Sequence, residues 1–120
     1  NSCIDILSQY QKEVRPWGYF ERFTKNENTT VKILSLNPHQ EFSLQKHKER
    51  TEFWRIIDGD GLVVVGGKES GARSGNEFFV EAGMLHRAKA GAEGMRILEI
   101  SYGEFDENDI ERVKDNYGRV

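Results

Sequence analysis

The segment that decides the fold is Ser43–Trp54, which reads SLQKHKERTEFW. On a β-strand alternate side chains share one face, so Gln45 and His47 point the same way. If the chain turns at Lys48–Thr51 and returns as an antiparallel strand, Glu52 comes back to that face opposite His47. The segment therefore predicts a strand pair that brings together an amide oxygen, an imidazole and a carboxylate.

A second segment, Val80–Arg87, reads VEAGMLHR and places a turn at Gly83 before a lone histidine. We expect His86 to enter the same interior from another strand, as a fourth ligand. Oxygen and imidazole donors without a thiolate suit a divalent ion, with zinc first and manganese, iron, cobalt or nickel as alternatives. Such residues also occur together by chance, so the predicted metal site depends on the spacing within the two segments.

Short runs of alternating or apolar residues recur along most of the chain, separated by turn-forming pieces. Seven or so strands at fairly regular spacing are typical of a sandwich or a barrel. Turns are predicted at 26–28, 58–61 and 66–67, and the glycine-rich stretch Gly66–Gly75 is predicted to be a mobile loop. The predicted strands are Trp17–Phe23, Thr30–Leu36, Glu41–Gln45, Phe53–Ile57, Leu62–Val65, Glu77–Val80 and Met95–Ser101.

Helical signals are confined to the two ends of the chain. Ile4–Leu7 carries a weak amphipathic pattern, and Glu107–Val113 follows Asp106, a residue type that caps helices. The length of 120 residues suits one domain with one apolar core. We therefore predict a single domain over residues 1–120, with a core at about 15–103 and terminal segments packed on it.

Composition argues against several classes of function. A net charge of −3 with 31% charged residues indicates an ordinary soluble surface and no nucleic-acid partner. The longest apolar run, Leu62–Val65, is far shorter than the ~20 residues of a membrane helix. The single cysteine, Cys3, can form no internal disulfide, which fits a reducing cytoplasm. Exposed sheet edges, together with the habit of the family named below, predict a homodimer.

The spacing of these motifs resembles the cupins, which share a Gln-x-His pair, a glutamate seven residues before a glycine and a later Gly-x-x-His. Over nearly the whole chain the sequence is similar to type II phosphomannose isomerases, also called mannose-6-phosphate isomerases. The segments that carry this similarity are Arg15–Gly18, Ser43–Trp54, Asp109–Arg112 and Asp115–Arg119.

The resemblance implies an all-β cupin barrel, that is a double-stranded β-helix or jelly roll, with short terminal helical segments. It also implies that one divalent metal ion is bound by Gln45, His47, Glu52 and His86. Members of this family often form the C-terminal domain of a bifunctional mannose-1-phosphate guanylyltransferase used in polysaccharide biosynthesis. That partner domain is absent from the sequence, so a free-standing cupin is expected.

The expected reaction interconverts mannose 6-phosphate and fructose 6-phosphate through an enediol, which requires a proton carrier and a phosphate site. Glu99 lies within an apolar strand, where an inward carboxylate would need a partner, and is the predicted proton carrier. Lys32 and Arg112 are predicted to act in catalysis as well as in substrate binding. Arg50 and Arg87 complete the predicted phosphate ligands. For each of these residues the alternative is an ordinary solvated side chain.

Two other functions remain open from the sequence. One is a cupin that binds a sugar phosphate or nucleotide sugar without turnover, because related sequences often carry histidines where this chain has Lys48, Glu49 and Phe53. Glu49 shares the alternation of Gln45 and His47 and is kept as a reserve ligand. The other is a different cupin enzyme, such as an epimerase or dioxygenase, since one barrel supports many chemistries.

Overall fold

The computed structural model describes residues 10–106 and 108–114, which form nine strands joined by turns and contain no helix. The predicted all-β class is confirmed. The strands are β1 (Gln11–Arg15), β2 (Gly18–Arg22), β3 (Thr29–Leu36), β4 (Leu44–Lys46), β5 (Arg50–Val65), β6 (Lys68–Arg73), β7 (Glu77–Val80), β8 (His86–Gly103) and β9 (Glu111–Lys114).

Two long antiparallel strands, β5 and β8, run through both sides of the barrel. The start of β5 pairs with the end of β8, and these two halves lie between β7 and β3, forming the first wall. The end of β5 pairs with the start of β8, and these halves lie between β6 and β4, with β9 outside β4, forming the second wall. The two walls therefore share both long strands.

Glycines make the crossing between the walls possible. Around residues 56–61 the pairing of β5 with β8 shifts register twice, but the strand continues. A Cβ atom on Gly59 would lie 2.1 Å from the carbonyl oxygen of Gly94, and one on Gly61 would lie 2.0 Å from that of Lys89. The backbones approach this closely only because these positions have no side chain. The predicted turn at 58–61 is therefore wrong.

The predicted mobile loop over Gly66–Gly75 is also wrong for most of its length. Gly66 and Gly67 form the expected turn, but β6 follows at once and pairs with the end of β5 from Lys68 to Arg73. Regular cross-strand hydrogen bonds therefore hold the glycine-rich stretch as an edge strand.

The predicted C-terminal helix over Glu107–Val113 is wrong where the structure describes it. Glu111–Lys114 forms β9, which pairs with the outer edge of β4 and so satisfies backbone groups that would otherwise remain unpaired. The predicted helical segment Ile4–Leu7 lies outside the described residues. Among residues 10–106 and 108–114, no helix has the length and apolarity needed to cross a membrane.

The apolar core lies between the two walls. Trp54, Ile56 and Ile97 of the first wall and Val63 and Ala88 of the second are at most 1% exposed. Removing such side chains from water is worth roughly 1.5–3 kcal/mol for each larger one. This core fixes which face of β5 and β8 points inward.

Strict alternation then determines the inward polar residues. On β5 the residue two positions before Trp54 is Glu52, and the residue paired with Trp54 across the sheet is Glu99 of β8. Outward neighbours such as Phe53 pack in a separate cluster with Ile100 on the outer surface. The first wall therefore presents two buried carboxyl groups to the interior.

Candidate metal centre

Three side chains predicted to bind metal converge in the interior. His47, Glu52 and His86 are at most 3% exposed, and one donor atom of each lies within 4.8 Å of the other two. Nε2 of His47 is 3.5 Å from Oε2 of Glu52, and Nε2 of His86 is 3.8 Å from Oε1. Donor atoms that share one tetrahedral ion are roughly 3.4 Å apart, so the two histidine–glutamate separations, each to a different oxygen of Glu52, are compatible with a bound ion.

The three side chains come from opposite walls. His47 follows β4 and His86 begins β8, and they are neighbours because Gln45 of β4 pairs with His86. Glu52 belongs to the first wall, where it lies between Val80 of β7 and the end of β8. The expected pairing of the His47 strand with the Glu52 strand is wrong, since β4 pairs with β8 and β9. Glu52 reaches the histidines across the interior instead.

Backbone carbonyl groups fix the tautomer of both imidazoles. Nδ1–H of His47 donates to the carbonyl of Asp109 at 2.6 Å, and Nδ1–H of His86 donates to the carbonyl of Met84 at 3.0 Å. Each ring therefore turns the lone pair of Nε2 toward Glu52. Metal-binding histidines are held in this way.

The state of the two rings also suits a metal ion. Burial lowers the pKa of His47 and of His86, so both rings are neutral at neutral pH, the form that binds a cation. Nε2 of His86 is buried and has no hydrogen-bond partner among the described residues. A bound ion would satisfy this atom, and nitrogen and oxygen donors fit the divalent metals predicted from the sequence.

Gln45, the remaining predicted ligand, lies beside the triad of His47, Glu52 and His86. Its Oε1 accepts a hydrogen bond from the hydroxyl of Ser43 at 2.6 Å, and its side chain also lines a small cavity next to the triad. Glu49, the reserve ligand, is exposed and does not join the triad.

A cavity of about 180 Å³ adjoins the triad and could admit a small ligand. Both walls contribute to it, and its lining combines cationic, acidic and apolar side chains. The lining residues are Lys32, Leu34, Phe42, Gln45, His47, Arg50, Glu52 and Glu99.

Two of the predicted phosphate ligands lie in this cavity. Arg50 is 7% exposed, and its guanidinium donates to Oε2 of Glu52 at 3.1 Å and to Nε2 of His47 at 3.2 Å. Lys32 and Arg50 both lie over the ring of Phe105, with Nζ and Cζ 4.5 and 4.4 Å from its centroid. Both cations line the same cavity, so an anion bound there would be attracted to each of them.

Glu99, the predicted proton carrier, is 6% exposed and lies on the inward face next to Lys32, its partner across the β3–β8 pairing. Burial, together with the nearby negative charge of Glu52, raises the pKa of Glu99 to about 7. At neutral pH the carboxyl group of Glu99 is therefore protonated in a substantial share of molecules, whereas a surface glutamate is ionised.

Of the two remaining predicted site residues, Arg112 lies beside the cavity and Arg87 lies outside it. Arg112 pairs with Gln45 across β9 and β4, so it is beside the cavity, and its buried Nε has no hydrogen-bond partner among the described residues. Arg87 follows the inward His86 and points outward, where its Nε is 3.5 Å from Glu41. The prediction that Arg87 binds the substrate phosphate is therefore wrong for this cavity.

Some contacts of the site were not predicted from the sequence. Nε1–H of Trp54 donates to Oε1 of Glu52 at 3.1 Å. Asp109 contacts His47 through its backbone, a contact 62 residues apart that no spacing rule reports. The alternation on β5 could have indicated the Trp54 contact, because residues 52 and 54 share a face.

The positions where related sequences often carry histidines do not reach the cavity. Lys48 and Glu49 are exposed, and Phe53 packs on the outer surface of the first wall. The departures at these positions therefore remove no ligand from the triad.

The chain is similar in sequence to known proteins over most of its length. Residues 4–115 match the family described as mannose-6-phosphate isomerase C-terminal. A mannose-1-phosphate guanylyltransferase of Klebsiella pneumoniae is 33% identical over 98% of this chain and 27% of its own. The alginate biosynthesis protein AlgA of Pseudomonas aeruginosa is 31% identical over 88% of this chain and 22% of its own. The chain thus spans about a quarter of the length of the curated relatives it matches.

Solved structures support the fold. A double-stranded β-helix protein of Klebsiella pneumoniae superposes with a TM-score of 0.62 at 20% identity, covering 73% of this chain and 76% of its own. The capsular polysaccharide assembling protein CapF of Staphylococcus aureus gives 0.66 at 16% identity, covering 88% and 32%. The predicted cupin fold is confirmed, and the chain belongs to the family of mannose-6-phosphate isomerase C-terminal domains.

Proposed function

We propose that the protein is a metal-dependent phosphosugar isomerase that interconverts mannose 6-phosphate and fructose 6-phosphate. The observation that carries this proposal is that one small cavity is lined by His47 and Glu52 of the triad, by two cations, Lys32 and Arg50, and by a further buried carboxyl group, Glu99. Each component corresponds to one requirement of an aldose–ketose exchange.

The cations suit the phosphate of the substrate. Lys32 and Arg50 both line the cavity, so a phosphate bound there would be attracted to both cations. Arg112, next to Gln45 on the neighbouring strand, can add a third contact from the cavity edge. A guanidinium can bind two phosphate oxygens at once, which would fix the orientation of the sugar.

The carboxyl group suits the proton transfer. Interconversion moves a proton between C1 and C2 of the sugar, and Glu99 lines the cavity from the wall opposite the histidines. A divalent ion at the triad would polarise the substrate oxygens and stabilise the negative charge of the enediolate. Burial of Glu99 keeps competing water away from the carboxyl group.

The test is an isomerase assay on the metal-loaded protein with mannose 6-phosphate, following fructose 6-phosphate. We expect turnover that chelation abolishes and that Glu99→Gln lowers by about 10²–10⁴-fold. Glu93→Gln, a change at an exposed glutamate far along β8, serves as the matched control and should leave the rate unchanged.

One result would contradict the proposed activity, and a second would contradict the role of Glu99 alone. Loaded protein that binds the sugar phosphate in calorimetry without converting it would indicate a binding cupin. Full activity of Glu99→Gln would leave the isomerase in place but remove Glu99 from the proton transfer.

A further inference from the structure

We propose that Asp109 is a positioning residue of the metal centre, which holds His47 in place through its backbone carbonyl and its carboxylate together. This inference rests on the proposed metal site. Asp109 belongs to the segment between β8 and β9, far along the chain from the histidine it contacts.

The contacts of Asp109 surround His47 on the side away from Glu52. Its carbonyl oxygen accepts Nδ1–H of His47 at 2.6 Å. Its two carboxylate oxygens accept the backbone N–H groups of Lys48 and Glu49, each at 2.8 Å. One residue therefore binds both the ring of His47 and the two peptide groups that follow it.

These bonds matter because the turn after His47 has little other support. Lys48 and Glu49 lie between β4 and β5, outside any strand, and their side chains are exposed. The carbonyl of His47 itself accepts the N–H of Gly83 at 2.7 Å. Without the Asp109 carboxylate, the two exposed peptide N–H groups would bond to water instead, and the turn that follows His47 would lose these two links to the segment between β8 and β9.

The carbonyl contact acts on the ring directly. A hydrogen bond to Nδ1–H selects the tautomer with an unprotonated Nε2, which in His47 accepts a hydrogen bond from Arg50, and makes that nitrogen a better ligand for a cation. The carboxylate of Asp109 binds the turn that follows His47. It therefore holds the carbonyl of Asp109 at a fixed position relative to the ring of His47. Loss of such outer partners typically weakens metal affinity by about 10–100-fold.

The experiment compares Asp109→Ala with Glu111→Ala, both purified metal-free. Glu111→Ala is the matched control, because it removes the same charge two residues away from Asp109. The carboxylate of Glu111 lies 3.5 Å from Nζ of Lys46, whereas the N–H groups of Lys48 and Glu49 bond to Asp109. Zinc affinity is measured by competition with a chromogenic chelator, and the tautomer of His47 by ¹⁵N NMR of the histidine rings without metal.

We expect Asp109→Ala to weaken zinc binding by about 10–100-fold and to give His47 a mixture of tautomers, with Glu111→Ala within about twofold of wild type. Asp109→Asn, which keeps one acceptor oxygen, should fall between them and provides a second variant if the alanine protein does not fold. His86, held by Met84, is an internal reference whose tautomer should not change.

Zinc affinity and a His47 tautomer unchanged in Asp109→Ala would overturn the inference while leaving the proposed function intact. Failure of the wild-type protein to bind zinc would instead remove the metal site. The metal-free NMR comparison would then still decide whether Asp109 fixes the ring of His47.

Discussion

At the scale of single residues, Glu99 and the two histidines show how burial sets the charge of the site. Burial favours the uncharged form, so it raises the pKa of Glu99 and lowers the pKa of His47 and His86. The effects on stability have opposite signs. Glu99 destabilises the metal-free fold as pH rises toward and past 7, whereas the histidines destabilise it as pH falls below about 6.5.

We predict that Glu99→Gln becomes progressively more stabilising with pH in the presence of a chelator. The pKa of Glu99 is about 7 in the fold and 4.5 when unperturbed, so the contribution of Glu99 to stability is fully present below pH 4.5 and is lost as pH rises through 7. Above pH 8 the variant should be up to about 3 kcal/mol more stable than wild type. Thermal unfolding at pH 5 and pH 8 measures this, with Glu93→Gln as the control. A constant difference between variant and wild type would refute it.

The motif spacing indicated that His47, Glu52 and His86 converge, but the local strand pairing expected for His47 and Glu52 is wrong, because Glu52 comes from the opposite wall. Gln45, His47 and Glu52 lie within eight residues, and His86 follows a glycine turn. Asp109 could not be assigned its role, because a backbone carbonyl leaves no signature in the sequence. Arg87 was placed wrongly because a basic residue next to an inward histidine must point outward.

At the scale of elements, the long bent strands β5 and β8 determine the architecture. Each passes from one wall to the other, and the crossing depends on backbone contact at Gly59 and Gly94. Both residues have positive φ angles, 79° and 75°. Any side chain at Gly59 would therefore meet both backbone strain and a steric clash.

We predict that Gly59→Ala destabilises the fold by about 3–5 kcal/mol, since its Cβ would overlap the Gly94 carbonyl. Gly67→Ala has a similar φ of 83° but open space around the Cβ, so it should cost only about 1–2 kcal/mol. Gly71→Ala has neither feature and should be within about 0.5 kcal/mol of wild type. Urea unfolding of the three variants tests this order, and equal effects at Gly59 and Gly67 would contradict it.

The sequence predicted most strand positions but not their continuity. Glycines at 59 and 61 carry the local signature of a turn, and only the partner strand shows that they serve a close crossing instead. Likewise Glu111–Lys114 has a helix-compatible composition, but a free edge on β4 recruits it as β9. Tertiary pairing overrode the local signal in both places.

At the scale of the whole molecule, the triad joins the two walls, so we predict that metal binding and folding are coupled. With free metal at about 100 times its dissociation constant, the fold should gain about 2.7 kcal/mol, or a rise in Tm on the order of 10 °C. Unfolding should remain a single transition. Calorimetry with zinc and after chelation measures the shift.

The histidines provide a matched pair of variants for this experiment. His86→Ala should abolish the shift in Tm, whereas His39→Ala should retain it, because His39 lies in an exposed turn between β3 and β4. An equal shift in both variants would place the bound zinc elsewhere.

Because the donor groups of the triad come from opposite walls, a short piece of the chain cannot form the site. A synthetic dodecamer with the sequence of Ser43–Trp54 contains an amide, an imidazole and a carboxylate in order, yet in solution these groups would diverge. These groups come together only when both walls of the barrel have formed and His86, from a distant part of the chain, lies beside the strand that precedes His47. Placing this segment alone in another protein would therefore not reproduce the metal site.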